Sequence, residues 1–114
     1  MKILAISEPA PDVTPGGFDG YMDAEVAKGK QFYLDGLIEQ AYMDPTYTRT
    51  FMIVEAPSID DARARFDTYP RVAAGLISFT FIPLVGMPAV ANAEHERGTP
   101  LPAWWPGAVR TANE

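Results

Sequence analysis

The segments of this chain that read as β-strands carry apolar side chains on both faces. In residues 76–84, Ile77, Phe79 and Phe81 alternate with Leu76, Ile82 and Leu84. In residues 47–56, Phe51 and Ile53 oppose Met52 and Val54, and in residues 2–8, Ile3 and Ala5 oppose Leu4 and Ile6. A sheet with one wet face alternates apolar with polar residues instead. Two helices cover only one face, so the other would expose an apolar patch of roughly several hundred Å², more than a monomer normally tolerates. A second copy of the chain related by a two-fold axis, or the chain's own tail, must cover it. A homodimer with sheets face to face is the expectation.

The order of elements follows from local signals. Residues 2–8 form a β-rich run that stops at Pro9, and residues 9–17 carry three prolines and two glycines, a loop. From residue 18 to 34 the period changes. Met22, Val26, Gly29 and Tyr33 fall on one helical face, and Gly36 supplies a left-handed stop. Gly29 on that face suits a close approach of helix to sheet.

Residues 37–43 read as a second strand, Asp44-Pro45 as a turn, and residues 47–56 as a third strand, making an antiparallel hairpin. Ser58 begins a helix as its cap, with Asp61 at the capping-box position. Ile59, Ala62, Phe66 and Tyr69 form its buried face, Tyr69-Pro70 ends it, and residues 76–84 are the fourth strand.

The order β-α-β-β-α-β, with right-handed crossovers, is the ferredoxin-like α+β fold: a four-stranded antiparallel sheet with two helices on one face. Residues 1–85 are expected to form this domain. Residues 86–114 form a Pro- and Trp-containing C-terminal extension, too long for a simple connection. Its Trp104 and Trp105 are costly to leave in water, so the segment is expected to dock.

Composition excludes several classes. The net charge is −6, and no basic run exists to release counterions from phosphates, which sets nucleic acid aside. There is no cysteine, so disulfides, thiolate nucleophiles and Cys-based metal sites are ruled out. The apolar N-terminal run is too short for a signal peptide, and no stretch approaches the ~20 apolar residues of a membrane helix. A cytoplasmic location is the expectation.

The stretch from Gly36 to Leu84 resembles the muconolactone isomerase-like branch of the dimeric α+β barrel superfamily. The resemblance rests on the hairpin running into Phe51-Met-Ile-Val-Glu-Ala-Pro-Ser-Ile-Asp-Asp-Ala62, the helix ending in Thr68-Tyr-Pro70, and the closing strand Ile77-Ser-Phe-Thr-Phe-Ile-Pro-Leu84. It implies a face-to-face dimer and, in the named member, cofactor-free proton transfer on a small lactone. Related branches include cofactor-free monooxygenases. The proline-rich first loop and the Trp-containing tail depart from the isomerase, and no catalytic residue carries over.

Candidate catalytic residues come from chemistry. His95, the one histidine, lies between Glu94 and Glu96 and titrates in the range needed by a general acid or base. The plain alternative is a solvated tail residue, and its surroundings lack the multi-ligand spacing of a metal site. Glu39, in an apolar strand, reads either as a buried base or as a charge guarding an edge. Arg49, on the neighbouring strand, pairs with Glu39 across the strands or holds a substrate carboxylate. Tyr42 and Tyr47 flank the hairpin turn, where a pocket mouth is expected, and with Trp104 they are the candidate substrate contacts. Asp60, Asp61, Arg63 and Arg65 read as a solvated helix face.

Two classes of function remain open on these residues. One is a small cofactor-independent enzyme acting on an apolar organic acid, lactone or ring compound, its pocket between helices and sheet or at a dimer seam. The other is a non-catalytic ligand-binding or assembly module of the same fold.

Overall fold

The computed structural model describes residues 1–13, 17 and 19–103 of the chain. The elements run β1 (Lys2–Pro9), α1 (Met22–Leu34), β2 (Ile38–Met43), β3 (Thr50–Glu55), α2 (Ile59–Phe66), α3 (Pro70–Ala73), β4 (Ile77–Leu84) and α4 (Pro88–Glu96). Met1–Leu84 form one compact unit, and a second begins at Val85.

In the first unit the strands lie in the order β2-β3-β1-β4, every neighbouring pair antiparallel. This is the expected ferredoxin-like arrangement. Register sorts the side chains by face. Ile3 sits opposite Val54 and Pro83, Ala5 opposite Met52 and Phe81, and Ser7 opposite Phe79. These residues form the covered face. Ile3, Ala5, Met52 and Val54 are buried together with Phe32 of α1, Ala62 and Phe66 of α2, and Tyr69.

The hub of this core is Phe66. Its ring meets Phe79 at a centroid distance of 4.8 Å, Tyr69 and Phe81 at 5.5 Å, and Phe32 at 5.9 Å. The α2 face anticipated from Ile59, Ala62, Phe66 and Tyr69 is the buried one. Ser58 caps the helix as expected, its Oγ accepting the Asp61 N–H at 3.0 Å. The helix ends earlier, at Phe66, because Pro70 opens a further short helix, α3, for which its fixed φ and missing N–H suit the first turn.

Helix α1 turns a different face to the core from the one its apolar residues mark. Met22 and Val26 are each 52% exposed and Tyr33 61%, while Phe32 is buried. The inward line runs through Glu25, Gly29 and Phe32, one and two turns apart. A carboxylate and a glycine hold inward positions there, which hides the face from hydropathy. Gly29 faces Tyr69 rather than the sheet: a Cβ on it would stand 3.5 Å from the Tyr69 hydroxyl oxygen, an ordinary contact distance. Gly36 adopts φ 83°, as a left-handed helix stop requires.

The opposite face of the sheet has no helix of this unit over it. Leu4 faces Ile53 and Ile82, and Ile6 faces Phe51, which in turn faces Tyr42. Leu4, Ile6, Phe51, Ile53 and Leu84 are half-buried, and Ile82 and Tyr42 are exposed. The third strand is shorter than expected because Asp44 gathers residues 46–49 into a turn.

Candidate functional site

The residues singled out from sequence do not converge. Glu39 is an exposed residue of edge strand β2, at a register shift between Ile38 and Gln40, and its carboxylate pairs with Lys2 Nζ at 2.8 Å. The expected Glu39–Arg49 pair is absent. Arg49 pairs with Glu8 at 3.2 Å and lies 5.2 Å over the Phe51 ring instead. The hairpin register sets Arg49 beside Asp44, at the far end of the strand pair from Glu39, which leaves Lys2 as the cation within reach of Glu39. Glu39 is therefore not the buried base that one reading of an apolar strand required.

Tyr42 is 62% exposed on the open sheet face. Tyr47 is 78% exposed and adopts φ 57° in the β2–β3 turn. Trp104 lies outside the described residues.

His95 belongs to the second unit. There α4 follows Pro88, which stands in its first turn, and ends in a left-handed Gly98 at φ 106°. The His95 ring is exposed, with Nδ1 3.0 Å from the Thr99 carbonyl oxygen. The ring thus fastens the end of its own helix. Gly86, Met87, Val90, Ala91, Glu94, Thr99, Pro100 and Pro102 border a hollow of about 290 Å³ in this unit.

The helix side of the first unit holds two adjoining cavities. The larger, about 370 Å³, lies between α1 and strands β2 and β3, lined by Gly29, Tyr33, Leu34, Ile38, Ala41, Met52 and Tyr69 among others. Its wall is almost wholly carbon. The smaller, about 100 Å³, is polar: Ser7, Glu25, Thr48, Thr50, Tyr69 and Arg71 contribute to it, and Tyr47 stands on its border. Met52 and Tyr69 line both, so the pair forms the seam between a greasy chamber and a charged niche.

Each polar group of the niche is placed by the fold. Glu25 projects from the inward face of α1, and its Oε1 accepts the backbone N–H of Arg71 at 2.5 Å. That amide is one of the orphan donors at the start of α3. The guanidinium of Arg71 reaches Met22 Sδ at 3.8 Å. Ser7, buried on β1, accepts the Thr50 N–H through Oγ at 2.8 Å and so closes the ladder where β1 and β3 part.

Tyr69 is 4% exposed, and among the described residues its hydroxyl makes no hydrogen bond. Burial pushes its phenol up to about 12, with the nearby Glu25 charge adding to the shift. At neutral pH it is an un-ionised O–H donor with capacity to spare.

The rim is held by Asp44. Its Oδ1 accepts the N–H groups of Thr48 at 2.8 Å and Arg49 at 3.1 Å, and Oδ2 accepts the Thr46 and Thr48 hydroxyls at 2.9 Å. The backbone bond from Arg49, followed by those from Thr48 and Thr46, holds the carboxyl down at about 2. This network keeps Tyr47 in a left-handed conformation that a bulky residue rarely adopts.

Glu25, Tyr69 and Arg71 were not found from sequence. Glu25 looks like any solvent-facing acid on a helix, and Arg71 lies 46 positions away from it. The one available signal was a tyrosine on the apolar stripe of α2, where a hydroxyl must find a partner or a cavity.

Among the described residues, no group of three His, Cys, Asp or Glu side chains is disposed to hold a metal ion, and no helix is long and apolar enough to cross a membrane. No family model matches the sequence, and no curated protein does. Solved structures do resemble it, two among them being the following. One is 5-chloro-2-hydroxyhydroquinone dehydrochlorinase from Burkholderia phenoliruptrix in complex with 2,5-dihydroxybenzoquinone, at 22% identity and a TM-score of 0.59, over 76% of this chain and 96% of that one. The other is a protein of Agrobacterium tumefaciens, at 12% identity and a TM-score of 0.40, over 75% of this chain and 94% of that one. The Met1–Leu84 unit accordingly shares its fold, a four-stranded antiparallel sheet of ferredoxin-like order with helices on one face, with that dehydrochlorinase.

Proposed function

We propose that this chain is a small cofactor-independent enzyme, muconolactone isomerase-like in its chemistry, which moves a proton on a small apolar organic acid, lactone or ring compound. One observation carries this reading: the carbon-lined chamber opens at Tyr69 onto a niche holding a carboxylate, a guanidinium and an un-ionised phenol. A chamber of about 370 Å³ suits a small ligand, since ligand pockets run from about 300 to 1,000 Å³.

Glu25 is the base. It takes a proton from a carbon beside the substrate carbonyl, and the electron pair left behind becomes a C=C bond and an enolate oxygen. Tyr69 donates a hydrogen bond to that oxygen, and the Arg71 charge offsets it. The protonated Glu25 returns the proton to another carbon of the conjugated system, so nothing is gained or lost overall. Tyr47 borders the entrance. The dehydrochlorinase of similar fold also handles a small oxygenated ring. Glu39 and Arg49, held in surface ion pairs, are not assigned a part, nor is His95.

The uncovered sheet face supports a homodimer. Leu4, Ile6, Phe51, Ile53 and Leu84 would be shielded there by the same residues of a second copy.

The test is deuterium exchange from D2O into a panel of small lactones, cyclic enones and ring ketones, followed by NMR. Wild-type protein is expected to catalyse exchange at the carbon beside the carbonyl, and Glu25→Gln to slow it by about a hundredfold or more. Equal exchange with both proteins, as a pure binding module would give, overturns the assignment.

A further inference from the structure

Tyr69 stands out among the buried polar side chains. Ser7 accepts a backbone N–H, and Glu25 accepts another. The Tyr69 hydroxyl, in a residue 96% out of solvent, makes no hydrogen bond among the described residues. The hydroxyl is not one of the fully enclosed atoms that lack a partner, so it is open to a partner from the cavities that Tyr69 lines. Its ring cannot swing away to find one. It is clamped edge-on against Phe32 at 5.2 Å and Phe66 at 5.5 Å, and stacked on Phe79 at 5.9 Å.

The hydroxyl is also left uncovered by the helix above it. Residue 29 lacks a side chain, and a Cβ there would come within 3.5 Å of the Tyr69 oxygen. A glycine inside a helix costs about 1 kcal/mol against alanine. Here it keeps open the approach from the chamber, which Gly29 lines, to the phenol.

We propose that Gly29 and Tyr69 form a recognition site for an uncharged oxygen acceptor on an apolar ring, and that the chamber therefore selects cyclic carbonyl compounds over hydrocarbons of the same shape. This deepens the reading of the helix-side cavities as an active site and rests on it. The carbon wall takes the ring by burying its apolar surface. Apart from Lys30, which also lines it, the wall offers little to a polar substituent except at Tyr69, so a carbonyl gains a partner there by pointing at that hydroxyl. A carboxylate in the same position would face the Glu25 charge, whose repulsion already raises the phenol's affinity for its proton. The site thus discriminates by chemistry as well as by size: acceptor oxygens enter, anionic groups are turned toward Arg71.

Two probes read by binding alone, in H2O, where any proton exchange beside the ketone's carbonyl leaves it unchanged, separate this idea from the catalytic one. α-Tetralone and tetralin have the same bicyclic shape and differ in one carbonyl oxygen. Their affinities are measured by NMR titration, following the amides of Gly29 and Met52, for wild-type protein, Tyr69→Phe and Gly29→Ala. Wild-type protein should bind the ketone more tightly. Tyr69→Phe should weaken the ketone by about five- to tenfold, the worth of one neutral hydrogen bond, and leave tetralin unchanged. Gly29→Ala should weaken the ketone more than the hydrocarbon. Equal losses for both probes in Tyr69→Phe overturn the proposal, as does failure of both to perturb Gly29 and Met52. These results are independent of turnover: Glu25→Gln should keep the ketone preference while losing exchange.

Discussion

The Glu25 carboxylate accepts the backbone N–H of Arg71, tying the inward face of α1 to the first turn of α3. One side chain thereby fastens the roof of the niche and supplies, among the described residues, the carboxylate that lines it. The two duties come apart by substitution. Glu25→Gln keeps an acceptor oxygen for the Arg71 amide, so its denaturation midpoint should stay near that of the wild type while exchange activity falls. Glu25→Ala orphans a part-buried donor and should lose about 1 kcal/mol or more of stability as well, read by urea unfolding.

Phe66 joins four other rings and is 1% exposed. Phe66→Ala should cost about 3–5 kcal/mol, a large share of the 5–15 kcal/mol typical of a domain. Chemical unfolding should show a much lower midpoint, and near-ultraviolet dichroism should lose its aromatic fine structure.

The Tyr69 phenol is held up at about 12 by burial, with the Glu25 charge adding to it, and should ionise late. The native state keeps this proton while the unfolded chain, at the ordinary value of 10.0, gives it up. Stability from this group is therefore complete below pH 10 and falls as pH climbs toward 12. Alkaline difference spectra of wild type and Tyr69→Phe should differ by one late-titrating phenol.

Asp44 acts at the other end of the scale. Its carboxyl is lowered from 3.8 to about 2 by the N–H groups it accepts. The turn's stabilisation is present above pH 3.8 and disappears as pH falls through 2. In carbon-detected NMR, the Asp44 carboxyl should titrate at about 2, below its ordinary value of 3.8. The Thr48 and Arg49 amides should shift with it. Asp44→Ala should release Tyr47 from its left-handed backbone.

The uncovered sheet face should bring two copies together. Ile53→Glu places a charge at its centre, beside Leu4, and should yield a monomer by sedimentation velocity at micromolar concentration. A wild-type chain that sediments as a monomer would remove the dimer from this reading.

Much of the fold was legible in the strands and in α2, where apolar spacing and burial coincide: Ile59, Ala62 and Phe66 point where their hydropathy says. It failed in α1 for a reason tied to the site. Glu25 and Gly29 occupy inward positions without being apolar, so Met22, Val26 and Tyr33, which face outward, carried the periodic signal instead. The candidate site was illegible for the same reason. Its carboxylate and the Arg71 backbone amide that it accepts meet across 46 positions, a distance no local pattern spans. Glu39 drew attention as an acid among apolar neighbours, yet its strand lies at the edge of the sheet, where a charge needs no burial.

The bulge at Glu39 bears on how the molecule ages in a concentrated solution. The register slips at that residue, and a Lys2–Glu39 pair flanks it, so β2 offers an incoming strand a broken row of donors and acceptors. On the other edge, β4 carries Pro83, which has no N–H to give. Neither border of the sheet makes a good template, so ribbons have no place to start growing.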